Sequence, residues 1–140
     1  MMVLDLSSIK KAIASLNRAL QVSSEENLLE MSADQQEVIK AGVIQNFDFT
    51  YELCWRFIKR WLEMNISPMI ADGVTRRELF RLAAENQLII DVEQWMRYHE
   101  ARNLTSHLYQ GSIVERVFAV TPAFAEDAAN LLRKLEARND

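Results

Sequence analysis

The amino-acid sequence predicts an all-α fold, an antiparallel up-and-down four-helix bundle with an extra short helix. Three observations lead there. The 140 residues include three glycines and two prolines, too few for the turns of a sheet built from short strands. Leu, Ala, Glu, Arg, Gln and Met, which lose little freedom in a helix, are plentiful. Apolar residues recur at intervals of three and four along most of the chain.

Leu6, Ile9, Ile13, Leu16 and Leu20 mark an amphipathic first helix of roughly 16 residues starting near Ser7. The polar stretch from Ser23 to Ser32 reads as a loop. A long second helix runs from about Asp34 to Asn65 and carries Ile39, Val43, Ile44, Phe47, Tyr51, Cys54, Trp55, Ile58 and Leu62. Its middle is apolar on more than one face, which predicts burial by the bundle on one side and by another subunit on the other. Ser67-Pro68 ends it, because the residue before a proline disfavours helix. Thr75-Arg76-Arg77-Glu78 has capping-box form and opens a short helix to about Asn86. Asp91 caps the next helix, from Val92 to about Leu108, and Gly111 breaks it. A helical turn is expected over Ser112 to Ala119. Thr121-Pro122 then starts the last helix with the proline at its tolerated first position. Phe124, Ala128, Leu131, Leu132 and Leu135 form its inner stripe. With no repeat, linker or low-complexity segment, residues 1–140 are expected to form a single domain.

Composition narrows the function. Hydrophobic content of 49% and charged content of 26% are those of a soluble globular protein. The single cysteine, Cys54, lies in the apolar run Leu53-Cys54-Trp55 and is expected to be a buried, inert thiol. With no signal peptide and no apolar stretch near the ~20 residues of a membrane span, a cytoplasmic location and no membrane contact are expected. The net charge of −4 argues against indiscriminate binding to nucleic-acid backbones. Any RNA contact must rest on local clusters such as Arg56, Lys59 and Arg60, or Arg76, Arg77 and Arg81.

The segment Arg102-Asn103-Leu104-Thr105-Ser106-His107-Leu108-Tyr109 carries the chemistry, with the pattern Arg-x4-His-x-Tyr. At about 100° per residue, with Arg102 at zero, Ser106 falls near 40°, His99 near 60°, Asn103 near 100° and His107 near 140°. Trp95 and Met96 fall in the same arc, near 20° and 120°. A mixture of Trp, Met, His, Arg and Asn resembles an interface or cleft lining more than an open solvated face. Arg102 supplies a permanent cation for a phosphate, and His107 can carry a proton near neutral pH. Asn103 and Ser106 can orient either group. One histidine does not easily serve as both acid and base in one cleavage step, so the mechanism predicts a composite site at a two-fold dimer interface. His99 is expected to be a polar interface residue. His99 and His107 lie about 80° apart and more than two turns along the helix, so no metal site is expected. No Gly-rich phosphate loop and no Ser/His/Asp order is present, and no cofactor is expected.

Two segments carry a resemblance to a known family. Ala41-Gly42-Val43-Ile44-Gln45-Asn46-Phe47-Asp48-Phe49-Thr50-Tyr51-Glu52-Leu53-Cys54-Trp55 and Trp95 through Tyr109 are similar to the HEPN superfamily, most closely its nucleotidyltransferase substrate-binding branch. The resemblance extends over nearly the whole chain. It implies a helical bundle that dimerises with its Arg/His helices facing each other, and a complex with a minimal nucleotidyltransferase, as a heterotetramer or larger. It further implies a metal-independent ribonuclease toxin in which Arg102 and His107 are catalytic and Tyr109 is AMPylated by that partner; Asn103, directly after the arginine, is counted with the catalytic residues because it can orient the phosphate or the imidazole. Gln110 departs from the acidic residue that often follows the tyrosine in this branch. Asp48 and Glu52 match acidic family positions and are expected to pair with a bundle arginine.

Two functions remain open at this level, with a purely structural dimer, its polar arc buried for assembly only, as the residual case. The chain is an RNase acting on an RNA such as tRNA, or a non-catalytic subunit presenting a nucleotide or other substrate to the nucleotidyltransferase.

Overall fold

The computed structural model describes residues 3–139, and among them the ordered elements are all helical. They are α1 (Ser7–Val22), α2 (Glu25–Leu29), α3 (Ala33–Asn65), α4 (Arg76–Glu85), α5 (Val92–Leu104), a 3-10 turn (Thr105–His107) and α6 (Gly111–Ala137). Helices α1, α3 and α6 pack on one another, and α5 packs on α6, α4 and α3. None of these helices is long and apolar enough to cross a membrane.

Each boundary has a local cause. Ser32 caps α3 through a reciprocal pair: its Oγ accepts from the Gln35 backbone N–H at 3.2 Å, and Gln35 Oε1 accepts from the Ser32 N–H at 2.9 Å. At α4 the capping box is half formed, with Thr75 Oγ1 accepting from the Glu78 N–H at 3.1 Å. Asp91 caps α5 by accepting from the Gln94 N–H at 3.1 Å. Four apolar residues of α1, Ile9, Ala12, Ile13 and Leu16, are buried, and Thr50 of α3 donates its hydroxyl to the Ala12 carbonyl at 3.4 Å.

Three expectations are corrected. The stretch Ser23–Ser32 is not only loop: Ser24 caps the five-residue α2, which buries nothing and so left no apolar signature. Helix α5 ends at Leu104 rather than Leu108, and the chain tightens into the 3-10 turn that carries Ser106 and His107.

The third concerns the last helix. Gly111 starts it rather than breaking its predecessor, and Pro122 lies inside it, not at its first position. A proline there removes the N–H that the Phe118 carbonyl would accept. Thr121 replaces that donor: its buried Oγ1 donates to the Phe118 carbonyl at 2.7 Å. The buried stripe Ile113, Val117, Thr121, Phe124, Ala128, Leu131 and Leu135 runs through the proline without a break.

The centre of the core is aromatic. The Phe124 ring meets Phe47, Tyr98 and Trp95 edge-on, with centroids 5.0, 5.1 and 6.0 Å away, and Phe80 of α4 packs on Trp95 at 5.6 Å. Such pairs add roughly 0.5–1.5 kcal/mol each beyond area burial. Cys54 is fully buried, and burial pushes its thiol far above the ordinary range.

Replacing Thr121 with Val keeps the shape and leaves the Phe118 carbonyl without a donor. The variant is expected to lose roughly 1–3 kcal/mol of stability, read by urea unfolding. A midpoint equal to that of the parent removes this bond from the account.

Candidate functional site

The site is built on the half of α5 that turns away from the aromatic core. Trp95, Tyr98 and Ala101 are buried and seat the helix. Trp95 therefore does not line a cleft beside Arg102, as the helical wheel suggested: it is 2% exposed and packed against Phe80, Tyr98 and Phe124. A wheel orders side chains around an axis and does not say where the core begins. Here the core edge falls between Trp95 and Arg102.

Arg102 leaves α5 half-buried and meets two carboxylates one turn apart on α3. Its Nε lies 3.4 Å from Glu52 Oε1 and 3.9 Å from Asp48 Oδ1, and its Nη1 reaches Thr105 Oγ1 at 3.4 Å. Arg102 Nε and Asp48 Oδ1 are both buried without a hydrogen bond, so their attraction is Coulombic rather than directional. Burial raises the Asp48 carboxyl, while the Thr105 hydroxyl and the Arg102 charge pull it back down. Glu52 also accepts from Trp55 Nε1 at 3.0 Å and lies 3.7 Å from Arg56. The two acidic residues thus pair with a bundle arginine, and that arginine is the one in the Arg-x4-His motif.

His99 is half-buried, with Nδ1 2.8 Å from the Tyr51 hydroxyl and Nε2 3.4 Å from Asn103 Nδ2. Burial holds the Tyr51 phenol well above its ordinary range, so the hydroxyl stays protonated and pairs with Nδ1 as donor or acceptor according to the tautomer. Burial, aided by the charge of Arg76, lowers the His99 pKa. His99, expected to be a polar interface residue, is thus half-buried and tied to α3 through Tyr51.

His107 is exposed on the 3-10 turn, with Nδ1 3.4 Å from the Tyr109 hydroxyl. Tyr109 is 79% exposed, and Gln110 Nε2 lies 3.5 Å from the same hydroxyl. Ser106 donates back to the Asn103 carbonyl at 3.2 Å, which tightens the turn. Arg102 bonds to Thr105 and His107 to Tyr109, and the two share no hydrogen bond.

A cleft of about 350 Å³ opens on the other side of His99, lined by Trp55, Lys59, Thr75 and Arg76 among others. The Arg76 guanidinium lies 3.5 Å from the Trp55 ring centroid. Sequence reasoning had Arg76 and Lys59 in separate basic clusters and did not join them, because only the α3–α4 connection brings them together. No group of three residues able to hold a metal occurs among the described residues.

This all-helical fold, with its Arg-x4-His turn beside an acidic pair, is of the HEPN type. The chain belongs to the family described as nucleotidyltransferase substrate binding protein like, which it matches over residues 4–137. It is 32% identical over 140 residues to a Haemophilus influenzae protein described as a probable ribonuclease HepT, covering 97% of this chain and 94% of that protein. A solved structure from Haemophilus influenzae, described as revealing the fold of a substrate binding domain of a nucleotidyltransferase, superposes with a TM-score of 0.87 at 29% identity, covering 94% of this chain and 99% of the other. A structure from Thermus thermophilus at 23% identity, covering 91% and 98%, shares the fold with a TM-score of 0.72.

Because the folded-state pKa of His99 lies below its unfolded value near 6.5, the unfolded chain takes up the proton first as pH falls. The contribution of His99 is complete above that value and is lost as pH drops through it. The melting temperature is expected to fall less between about pH 7.5 and 5.5 in His99→Gln than in the parent. Equal falls would mean that other groups carry the acid sensitivity.

Proposed function

We propose that this chain is a metal-independent endoribonuclease of the HEPN type, the toxin-like half of a two-component module with a minimal nucleotidyltransferase. The observation that carries the reading is the exposed Tyr109 hydroxyl beside His107, on the turn that follows Arg102. The reading treats residues 1–140 as a single antiparallel four-helix bundle of α1, α3, α5 and α6, with α4 as the extra short helix.

In this reading the chain works as a homodimer with its two Arg/His turns facing each other. The exposed apolar residues Val38 and Phe49 on α3, 70% and 60% accessible, support a second subunit there. A neutral His107 takes the proton of a ribose 2′-hydroxyl as the 2′-oxygen attacks the adjacent phosphorus. The bond from phosphorus to the 5′-oxygen breaks, and protonated His107 of the partner subunit supplies the proton to that leaving oxygen. The products are a 2′,3′-cyclic phosphate and a 5′-hydroxyl. Arg102 stabilises the charge that grows on the phosphate: the Asp48–Glu52 pair holds its Nε edge, Thr105 holds Nη1, and Nη2 is left for the substrate. Asn103 fixes the turn through His99 and Ser106.

Silencing follows from the same geometry. The Tyr109 oxygen attacks the α-phosphorus of ATP held by the nucleotidyltransferase, the bond to pyrophosphate breaks and pyrophosphate leaves, and the phenol proton passes to solvent water. The resulting phosphodiester puts an anion and an adenosine beside His107, where the RNA phosphate would sit. The two proteins are taken to assemble as a heterotetramer or larger, in the cytoplasm. A second reading, a non-catalytic substrate-binding subunit of the nucleotidyltransferase, is favoured by the description of the solved Haemophilus influenzae relative.

Purified protein incubated with total tRNA in excess chelator is expected to release fragments with cyclic-phosphate ends, and His107→Ala to lower that rate roughly 100-fold or more. Intact RNA with unmodified protein supports the binding-subunit reading instead. Co-expression with the nucleotidyltransferase is expected to add the mass of one AMP to the chain and none to Tyr109→Phe. An AMP adduct on the phenylalanine variant rules Tyr109 out.

A further inference from the structure

We propose that the cleft between the second half of α3, the start of α4 and His99 of α5 is a phosphate subsite for the RNA strand that reaches Arg102 and His107. The inference rests on the nuclease reading above and adds a second anchoring point to it.

The cleft holds two cations with no carboxylate of their own. Among the described residues neither Lys59 nor Arg76 lies within ion-pair distance of an acidic side chain. Arg76 Nε is buried and makes no hydrogen bond, so burial has taken solvation from this guanidinium without a polar partner in return. Glu52, which acts on Arg76 at longer range, is already engaged by Trp55, Arg56 and Arg102. The Trp55 face, 3.5 Å from the guanidinium carbon, holds Arg76 at the cleft, where an anion would supply the polar partner it lacks. Thr75 at the rim accepts from Glu78, which leaves its hydroxyl proton free to donate.

Size and position select the ligand. A volume of about 350 Å³ takes a group the size of one nucleotide rather than a folded partner. His99 forms one wall of the cleft and contacts Asn103 on its far side. From His99 α5 rises only ~4.5 Å to Arg102, and through the 3-10 turn the rise to His107 is on the order of 13 Å. At a rise of ~3.4 Å per stacked nucleotide, a strand running along α5 places a phosphate in the cleft a few nucleotides from the one cleaved. This also answers the acidic net charge: binding depends on two placed cations rather than a basic surface.

The test measures binding of a fluorescent single-stranded oligoribonucleotide, in the His107→Ala background to prevent cleavage, from about 50 to 200 mM salt. Lys59→Gln and Arg76→Gln are each expected to weaken binding and to lower the slope of log affinity against log salt by about 0.7. Arg18→Gln, on an exposed part of α1, is expected to leave the slope alone. Lys59→Gln keeps the Arg76–Trp55 stack, so it decides the matter even if Arg76→Gln folds poorly. Parental slopes in the folded variants overturn the subsite, and tRNA cleavage by the parent would then leave the nuclease reading standing. AMP binding that Lys59→Gln weakens, with no RNA binding at all, keeps a phosphate site and sinks the nuclease reading. Binding of neither ligand overturns both.

Discussion

The packing of Phe124 against Phe47, Trp95 and Tyr98 is the contact on which the arrangement depends. These rings come from α6, α3 and α5, and Phe80 of α4 closes the group against Trp95. Edge-on aromatic contacts restrict both the separation and the rotation of the helices that carry them. Once Trp95 and Tyr98 are seated, the rotation of α5 is set. Arg102 then emerges at the core edge facing the carboxylates of α3, and His99 faces Tyr51. The face that carries the Arg-x4-His motif is thus a by-product of where the rings go.

The electrostatics of that face follow a consistent division. The arginine of the motif is held by Asp48 and Glu52, whereas the cations of the neighbouring cleft have no acidic partner among the described residues. An arginine held along its Nε edge loses side-chain freedom before any substrate arrives and gives less of it up on binding. A cation without a partner contributes attraction at longer range. A chain of net charge −4 can hold an anion on such terms, because local arrangement rather than the total sets the field where a phosphate would sit.

Much of the fold was legible in the sequence. The long helix, the start of α1 and the caps at Thr75 and Asp91 declare themselves through periodicity and local hydrogen bonding, which are properties of near neighbours. Pro122 misled because its neighbour Thr121 supplies the missing donor, and that substitution is visible only when both side chains are placed. Helix α2 was missed because it buries nothing. At the site, the Arg-x4-His-x-Tyr spacing singled out Arg102, His107 and Tyr109, and the structure puts the His107 ring beside the Tyr109 hydroxyl. Trp95 was misassigned because a wheel carries no information on which neighbour lies outside the helix. The cleft at Arg76 and Trp55 was invisible for the related reason that its walls come from segments some twenty residues apart in sequence.

The 3-10 turn between α5 and α6 has a mechanical consequence. Thr105, Ser106 and His107 bury no side chain, and Tyr109, Gln110 and Gly111 are all exposed. Local opening costs little where few apolar contacts are lost. This segment can peel away from the helices on either side while the aromatic centre stays closed, so amide protons here should exchange with solvent long before those of α3. An enzyme that modifies a side chain must usually grip several residues of extended backbone around it. A turn that unzips without melting the protein offers that grip, and the same ease of opening makes it the natural place for a protease to cut first.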